Sequence, residues 1–145
     1  MREILFKAKR IDNGEWIEGS LIDLDIDSGY CYIVPPYKKA SILPINFLLT
    51  DRMKLVAPET LCQFTGLCDK NGNKIWENDI LMAHLDESYP EDATYETVEW
   101  NVAGWVGHET GCTDREYLDK FDLEHYEVVG NIFDNPELLQ EESDE

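Results

Sequence analysis

Several groups of residues in this chain have types and spacings suited to chemistry. Asp69, Asn71 and Asn73 stand at the one-three-five spacing of a calcium loop, in which alternate side-chain oxygens converge on the ion. Such a loop also needs glycine sixth and glutamate twelfth, and those positions hold Lys74 and Ile80. Gly66 and Gly72, with Lys74 two residues on, have the outline of a phosphate cradle, but no Ser or Thr follows the lysine and a strand rather than a helix comes next. His84, His108 and His125, together with Cys31, Cys62, Cys68 and Cys112, are the candidate metal ligands. They lack the close ligand pair by which zinc sites are recognised. Cys112, between Gly111 and Thr113, has the setting of an accessible thiol, yet Arg115 is the nearest cation and nothing adjacent lowers its pKa. Enzymatic chemistry would need a pocket where His84, His108 or Cys112 meets a carboxylate. The sequence therefore assigns no catalytic, cofactor-binding or metal-binding residue, and an activity is not expected.

The plainer reading of the first group is a turn. Asn71-Gly72 is the strongest short-range hairpin signal, because Asn and Gly can both take the positive φ of a two-residue turn. It joins a strand over residues 62–69, in which Cys62, Phe64, Gly66 and Cys68 alternate on one face, to a strand at Lys74-Ile75-Trp76. Asn78 makes the next turn, since its side chain tolerates the left-handed conformation, and Ile80 and Leu81 then start a buried strand. Trp16, Trp76, Trp100 and Trp105 each fall on or beside a predicted strand, which favours core and rim over an aromatic binding platform.

The rest of the chain reads as strands and turns. Residues 1–10 alternate as a strand, Asp12-Asn13-Gly14 turns, and Trp16 to Ile26 returns with a bend or bulge at Gly19-Ser20. Asp27-Ser28-Gly29 turns again into the aromatic and β-branched run Tyr30-Cys31-Tyr32-Ile33-Val34, which Pro35-Pro36 ends. Ile42 to Leu49 is apolar without period, and Pro44 restricts it to an edge strand or a helical turn. Met53 to Val56 is a short strand. Residues 86–92 form an acidic surface loop, Tyr95 to Trp100 a half-buried strand, and Gly104 to Gly107 its returning partner. Asp114 is placed to cap a helical turn carrying Tyr117, Leu118 and Phe121. Tyr126 to Phe133 is the last strand, and Pro136 opens a helical turn after Asp134-Asn135.

Composition bounds the function. The chain has 145 residues, with 31 acidic against 12 basic and a formal charge of −19. That size buries roughly 70% of the unfolded surface, enough for a core without disulfide staples. The scattered cysteines read as reduced thiols in a cytoplasmic protein. No apolar run reaches the about 20 residues of a membrane helix, and the N-terminal residues lack a signal-peptide core. Direct nucleic-acid binding is not expected, because contact with the phosphate backbone relies on Lys and Arg. The acidity serves solubility or, alternatively, imitates nucleic acid toward a basic DNA-handling protein.

Two stretches carry a resemblance. Residues 63–80, Gln-Phe-Thr-Gly-Leu-Cys-Asp-Lys-Asn-Gly-Asn-Lys-Ile-Trp-Glu-Asn-Asp-Ile, and residues 128–139, Val-Val-Gly-Asn-Ile-Phe-Asp-Asn-Pro-Glu-Leu-Leu, resemble the signatures of the YopX family of phage and prophage proteins. Met1 to Lys7, Asp12 to Trp16 and Pro58-Glu59-Thr60 extend the likeness over nearly the whole chain. Asn78 stands where the family usually has glycine, which keeps the left-handed turn. Cys62 and Cys68 depart from the family's residue types. The resemblance implies a mainly β protein of a mobile element and brings no catalytic residues with it. The expected architecture is mainly β: an N-terminal β-meander over 1–58, a small SH3-like barrel over 59–139 with one or two short helices, and an acidic tail over 140–145. The expected role is a non-enzymatic interaction module with a protein partner. Exposed strand edges in so small a β protein also favour a homo-oligomer.

Overall fold

The structure, a computed structural model, describes residues 3–36, 52–84, 93–109, 111–113, 115–119 and 123–140, without the His84 side chain. The expectations for residues 42–49 and 86–92, for the Asp114 cap and Phe121, and for the tail beyond Gln140 fall outside these residues. The fold is mainly β, in antiparallel ladders, as the sequence implies. The chain divides into two units, Met1–Phe64 and Thr65–Glu145. That division falls inside a strand, a few residues beyond Glu59.

In the first unit, β1 (Phe6–Lys9), β2 (Trp16–Asp25), β3 (Tyr30–Val34), β4 (Lys54–Leu55) and the start of β5 (Cys62–Cys68) are ordered β4-β3-β2-β1-β5. This is the expected meander. Gly14, at φ 72°, closes the first turn, where the Asn13 side-chain oxygen accepts the Glu15 N–H at 2.9 Å. At the next turn Asp23 Oδ1 accepts the Ile26 N–H at 3.0 Å and Gly29 takes φ 89°. The bend or bulge expected at Gly19-Ser20 lies instead between Asp23 and Asp25. Gly19 answers a different need: a Cβ there would run into the carbonyl of Val34. Residues 54–60 fasten to β1, with the Ala57 N–H donating to the Lys9 carbonyl at 2.8 Å and Thr60 Oγ1 accepting the Lys9 N–H at 2.9 Å. Ala8, Cys31, Ile33 and Val56 form the buried core, with Phe6, Ile17, Leu21, Ile26 and Leu61 packed against it.

In the second unit the end of β5 and β6 (Lys74–Trp76) form the hairpin. β7 (Asp79–His84), β8 (Ala93–Asn101), β9 (Gly104–Glu109), β10 (Arg115–Tyr117) and β11 (Glu127–Asn131) form a five-stranded antiparallel sheet ordered β10-β9-β8-β7-β11. Its core is Ile75, Leu81, Val98 and Leu123, with Leu67, Trp105, Leu118, Tyr126 and Val128 against it. Two local expectations change. The alternation along β5 breaks at Gly66, whose φ of 86° turns the backbone over, so Cys62 and Phe64 are buried but Gly66 and Cys68 are exposed. Thr65 holds this kink, donating through Oγ1 to the Ile75 carbonyl at 2.7 Å and accepting the Leu67 N–H at 3.1 Å. The helical turn expected around Tyr117 is instead β10, paired with β9 as Arg115 with His108 and Tyr117 with Val106. Ladder bonds to a waiting strand outweigh a weak local helix propensity.

Gly19→Ala is expected to cost about 3 kcal/mol, since the obstacle is backbone and cannot rotate away. A urea melt would show a lower midpoint at unchanged slope. A midpoint equal to wild type would contradict the close approach of β2 and β3.

Candidate functional site

The residues with a calcium-like spacing build a loop closed by a carboxylate. Asp69 is 6% exposed. Its Oδ1 accepts the N–H groups of Asn71 and Asn73, each at 2.9 Å. Its Oδ2 accepts the Val128 N–H at 2.9 Å and the Asn73 side-chain amide at 3.4 Å. Both oxygens therefore face N–H donors, and the one-three-five spacing serves the hairpin. The expected two-residue turn is replaced by the longer loop 69–73. Gly72 takes φ 82°, whereas Asn78 is the one non-glycine residue with positive φ among the described residues. Burial raises the Asp69 pKa, but the N–H groups of Val128, Asn73 and Asn71 outweigh it and hold the carboxyl below the ordinary aspartate value.

The second turn works in the same way. Asn78 takes φ 70°, as its sequence context implies, gives its N–H to the Val98 carbonyl at 2.8 Å and accepts the Ile132 N–H at 3.0 Å. Buried Asp79 accepts the Trp76 N–H at 2.8 Å. In the closing segment Asn131 Oδ1 accepts the N–H groups of Phe133 and Asp134, each at 2.9 Å. The short 3-10 turn Pro136–Leu139 follows, with no side-chain cap from the expected Asp134-Asn135. Gly130 leaves the space that the Asn135 side chain fills.

A polar cluster lies across β8, β9 and β10. Glu99 Oε1 is 3.3 Å from His108 Nδ1, and Glu99 Oε2 accepts Arg115 Nε at 2.9 Å. His108 Nε2 lies 2.7 Å from the carbonyl oxygen of Cys112, and Arg115 reaches the Thr113 carbonyl at 3.4 Å. Burial pushes the Glu99 carboxyl up, but the hydrogen bonds and charges of Arg115 and His108 prevail and hold it below the ordinary glutamate value. One histidine thus meets a carboxylate, as an active site would require. However, both ring nitrogens have partners within the fold, and the Cys112 group in contact is its carbonyl. Glu99 and Arg115 are the partners that sequence reading missed. Their meeting follows from the two-residue connection Val102-Ala103, which carries no turn signature in the sequence but pairs Asn101 with Gly104 and so sets Thr97 opposite His108.

The other candidates build no comparable cluster among the described residues, which leave out the His84 side chain. Cys31 and Cys62 are buried, with burial and then Asp23 pushing the Cys31 thiol up, while Cys68 and Cys112 are exposed. His125 is exposed. No group of three or more His, Cys, Asp or Glu residues suited to a metal forms among the described residues. Trp76 is buried and Trp105 half-buried, as expected of core and rim. Trp16 lies under Lys7 and Lys9, whose Nζ atoms stand 4.7 and 5.4 Å from its ring centre. Trp100 differs: it is 57% exposed and stands edge-on to Trp105 at 5.0 Å. Val102 at the same hairpin tip is 95% exposed, and Tyr117, beside Gly104, is 53% exposed. An open cleft of about 450 Å³ is lined by residues including Glu96, Glu109, Cys112 and Glu116.

Asp69→Ala is expected to cost about 1–3 kcal/mol, because it removes the acceptor of three backbone N–H groups, that of half-buried Val128 and those of exposed Asn71 and Asn73. The carboxylate's contribution is fully present above the unfolded aspartate range, near pH ~4, and is lost as pH falls through the lower folded value. Asp69→Asn should therefore flatten the acid limb of the stability profile, measured by urea melts between about pH 2 and 7. An unchanged acid limb would assign acid lability to other carboxylates.

Among the described residues no helix is long and apolar enough to cross a membrane. The curated proteins contain no match to the chain. The crystal structure of protein EF1440 from Enterococcus faecalis is similar, at 22% identity and a TM-score of 0.57, over 97% of this chain and 100% of that one. At that identity the likeness shows the fold. The family model described as YopX protein matches residues 5–140, the span in which both signature stretches lie, and this chain belongs to the YopX family.

Proposed function

We propose that this chain is a non-enzymatic interaction module of a phage or prophage, working in the host cytoplasm by docking a protein partner. The observation that carries this reading is the apolar β8–β9 tip, where Trp100 and Val102 are exposed; Tyr117, opposite Val106, is exposed on the other face of the sheet. Aromatic side chains of this kind supply much of the binding energy at protein interfaces. The chain's best candidate for chemistry, the Glu99–His108–Arg115 cluster, supports the reading from the other side, because its hydrogen-bonding capacity is directed into the fold. A formal charge of −19 disfavours direct contact with nucleic acid. β10 ends the strand order of its sheet among the described residues, which suits pairing with a second copy.

A second reading has its own observation. Glu96 lies directly opposite Glu109 and Glu116 directly opposite Gly107, which gathers carboxylates on one face of the sheet. An acidic face of this kind suits a decoy for a basic DNA-handling protein. Salt separates the two, since exposed charge pairs are screened over about 8–10 Å at physiological ionic strength.

The test is retention of host or phage proteins on the purified chain at low and high salt, alongside Trp100→Ala and Tyr117→Ala. A partner held at high salt by wild type and lost by about tenfold or more in Trp100→Ala is the expected result. Retention equal in all three proteins would remove the tip as the docking surface. A basic partner released at high salt and indifferent to Trp100 would favour the decoy. Light scattering on the eluted chain reads its oligomeric state in the same experiment.

A further inference from the structure

The environment of His108 contains a chemical conflict that one proton resolves. Nδ1 faces the Glu99 carboxylate at 3.3 Å and Nε2 faces the Cys112 carbonyl at 2.7 Å, so both ring nitrogens look at acceptors. A neutral imidazole has a single N–H and can satisfy one of them, setting a lone pair against the other; an imidazolium donates to both. The arrangement is therefore complete only with the ring doubly protonated.

We propose that His108 is a proton-operated clasp on the β9–β10 connection. Protonated, it ties β8, through Glu99, to the loop at residues 111–113, through the Cys112 carbonyl. When the second proton leaves, the remaining N–H goes to the carboxylate, the stronger acceptor, and the Cys112 carbonyl is released. The charged groups facing the ring among the described residues are Glu99 on β8 and Arg115 directly opposite on β10. Arg115 is itself turned onto Glu99 at 2.9 Å. Thr97, directly opposite on β8, is neutral. Histidine is the side chain whose charge ordinarily changes between about pH 5 and 8. The clasp acts on one wall of the open 450 Å³ cleft, because Cys112 lines it with Glu109 and Glu116. Losing this bond frees the Cys112 carbonyl at that wall, while the Cys112 N–H stays on the Glu109 carbonyl at 3.1 Å and Arg115 on the Thr113 carbonyl at 3.4 Å. This device stands independently of the docking role of Trp100.

The test is a pH titration of the full ¹⁵N-labelled chain by NMR from about pH 5 to 8, following the His108 ring nitrogens and the Cys112 and Thr113 amides. The expected result is a ring protonated at both nitrogens at the acid end, with the loop amides moving at the same midpoint. In His108→Gln that movement should vanish. A ring still singly protonated at pH ~5 overturns the proposal. So does a ring that titrates while the loop amides stay still. Both readouts come from the wild-type protein, so the answer does not depend on the variant folding.

Discussion

The carboxylate of Asp69 is the interaction on which the second unit depends. An ionised carboxylate offers about four acceptor positions and no donors, and the hairpin loop with the start of β11 presents backbone N–H groups that lack ladder partners. Asp69 gathers those of Asn71, Asn73 and Val128, the last of them 59 residues away in sequence. One side chain therefore closes a local loop and fixes a distant strand against it. The Lys70 N–H donates to the Tyr126 carbonyl at 3.1 Å, so the neighbours Asp69 and Lys70 hold Val128 and Tyr126, two residues apart on the distant segment. Where Val128 turns its N–H to Asp69, the β7–β11 register slips, and Val128 and Gly130 pair with the adjacent residues Leu81 and Ile80.

The same principle recurs wherever a polar side chain is buried. Thr60, Thr65, Asp69 and Asp79 are the buried polar residues among those described, and each one accepts a backbone N–H or donates to a backbone carbonyl. An unmet buried donor costs about 1–3 kcal/mol, so each such side chain makes one backbone path much cheaper than its neighbours. Apolar burial supplies most of the stability, but it is non-directional and tolerates several backbone paths. The directed bonds choose among them. Asn78 shows the choice most clearly, because its left-handed turn aims one backbone group at β8 and the other at the segment after β11.

What the sequence disclosed and what it withheld divide along this line. Turn residues were legible because a positive φ leaves its mark on residue type: Gly14, Gly29, Gly72 and Asn78 all stand at turns read from sequence. Strand runs were legible by alternation, and β8 with its return β9 fell where Tyr95 to Trp100 and Gly104 to Gly107 indicated. The failures needed knowledge of partners distant in the chain. Asp69 announced itself as an oxygen donor with regular spacing, but the donors that claim it include an N–H from another strand. Gly66 looked like one more alternating strand position, whereas Thr65 and Ile75 make it a kink. Tyr117, Leu118 and Phe121 had helix-like spacing, but Arg115 to Tyr117 form a strand because β9 offered an open ladder. The Glu99–His108–Arg115 cluster was hidden for the same reason, since cross-strand neighbours follow from register, and the Val102-Ala103 connection that sets it carries no turn signature.

The two stretches that carry the family resemblance prove to be one structural object. Residues 63–80 supply Thr65, Asp69, Asn78 and Asp79, while residues 128–139 supply the Val128 and Ile132 donors and the Gly130–Asn135 fit. A hairpin and a closing segment that hydrogen-bond to each other constrain each other's residue types, which is reason enough for them to be recognisable without an active site. Trp100, Val102, His108, Arg115 and Tyr117 all lie on β8, β9, β10 or their connections, outside both stretches. Scaffold and candidate surface are therefore carried by different parts of the chain. Substitutions of side chains along β8–β10 leave intact the Asp69 and Asn78 bonds that hold the unit, because those bonds are made by residues 69 and 78 to backbone groups.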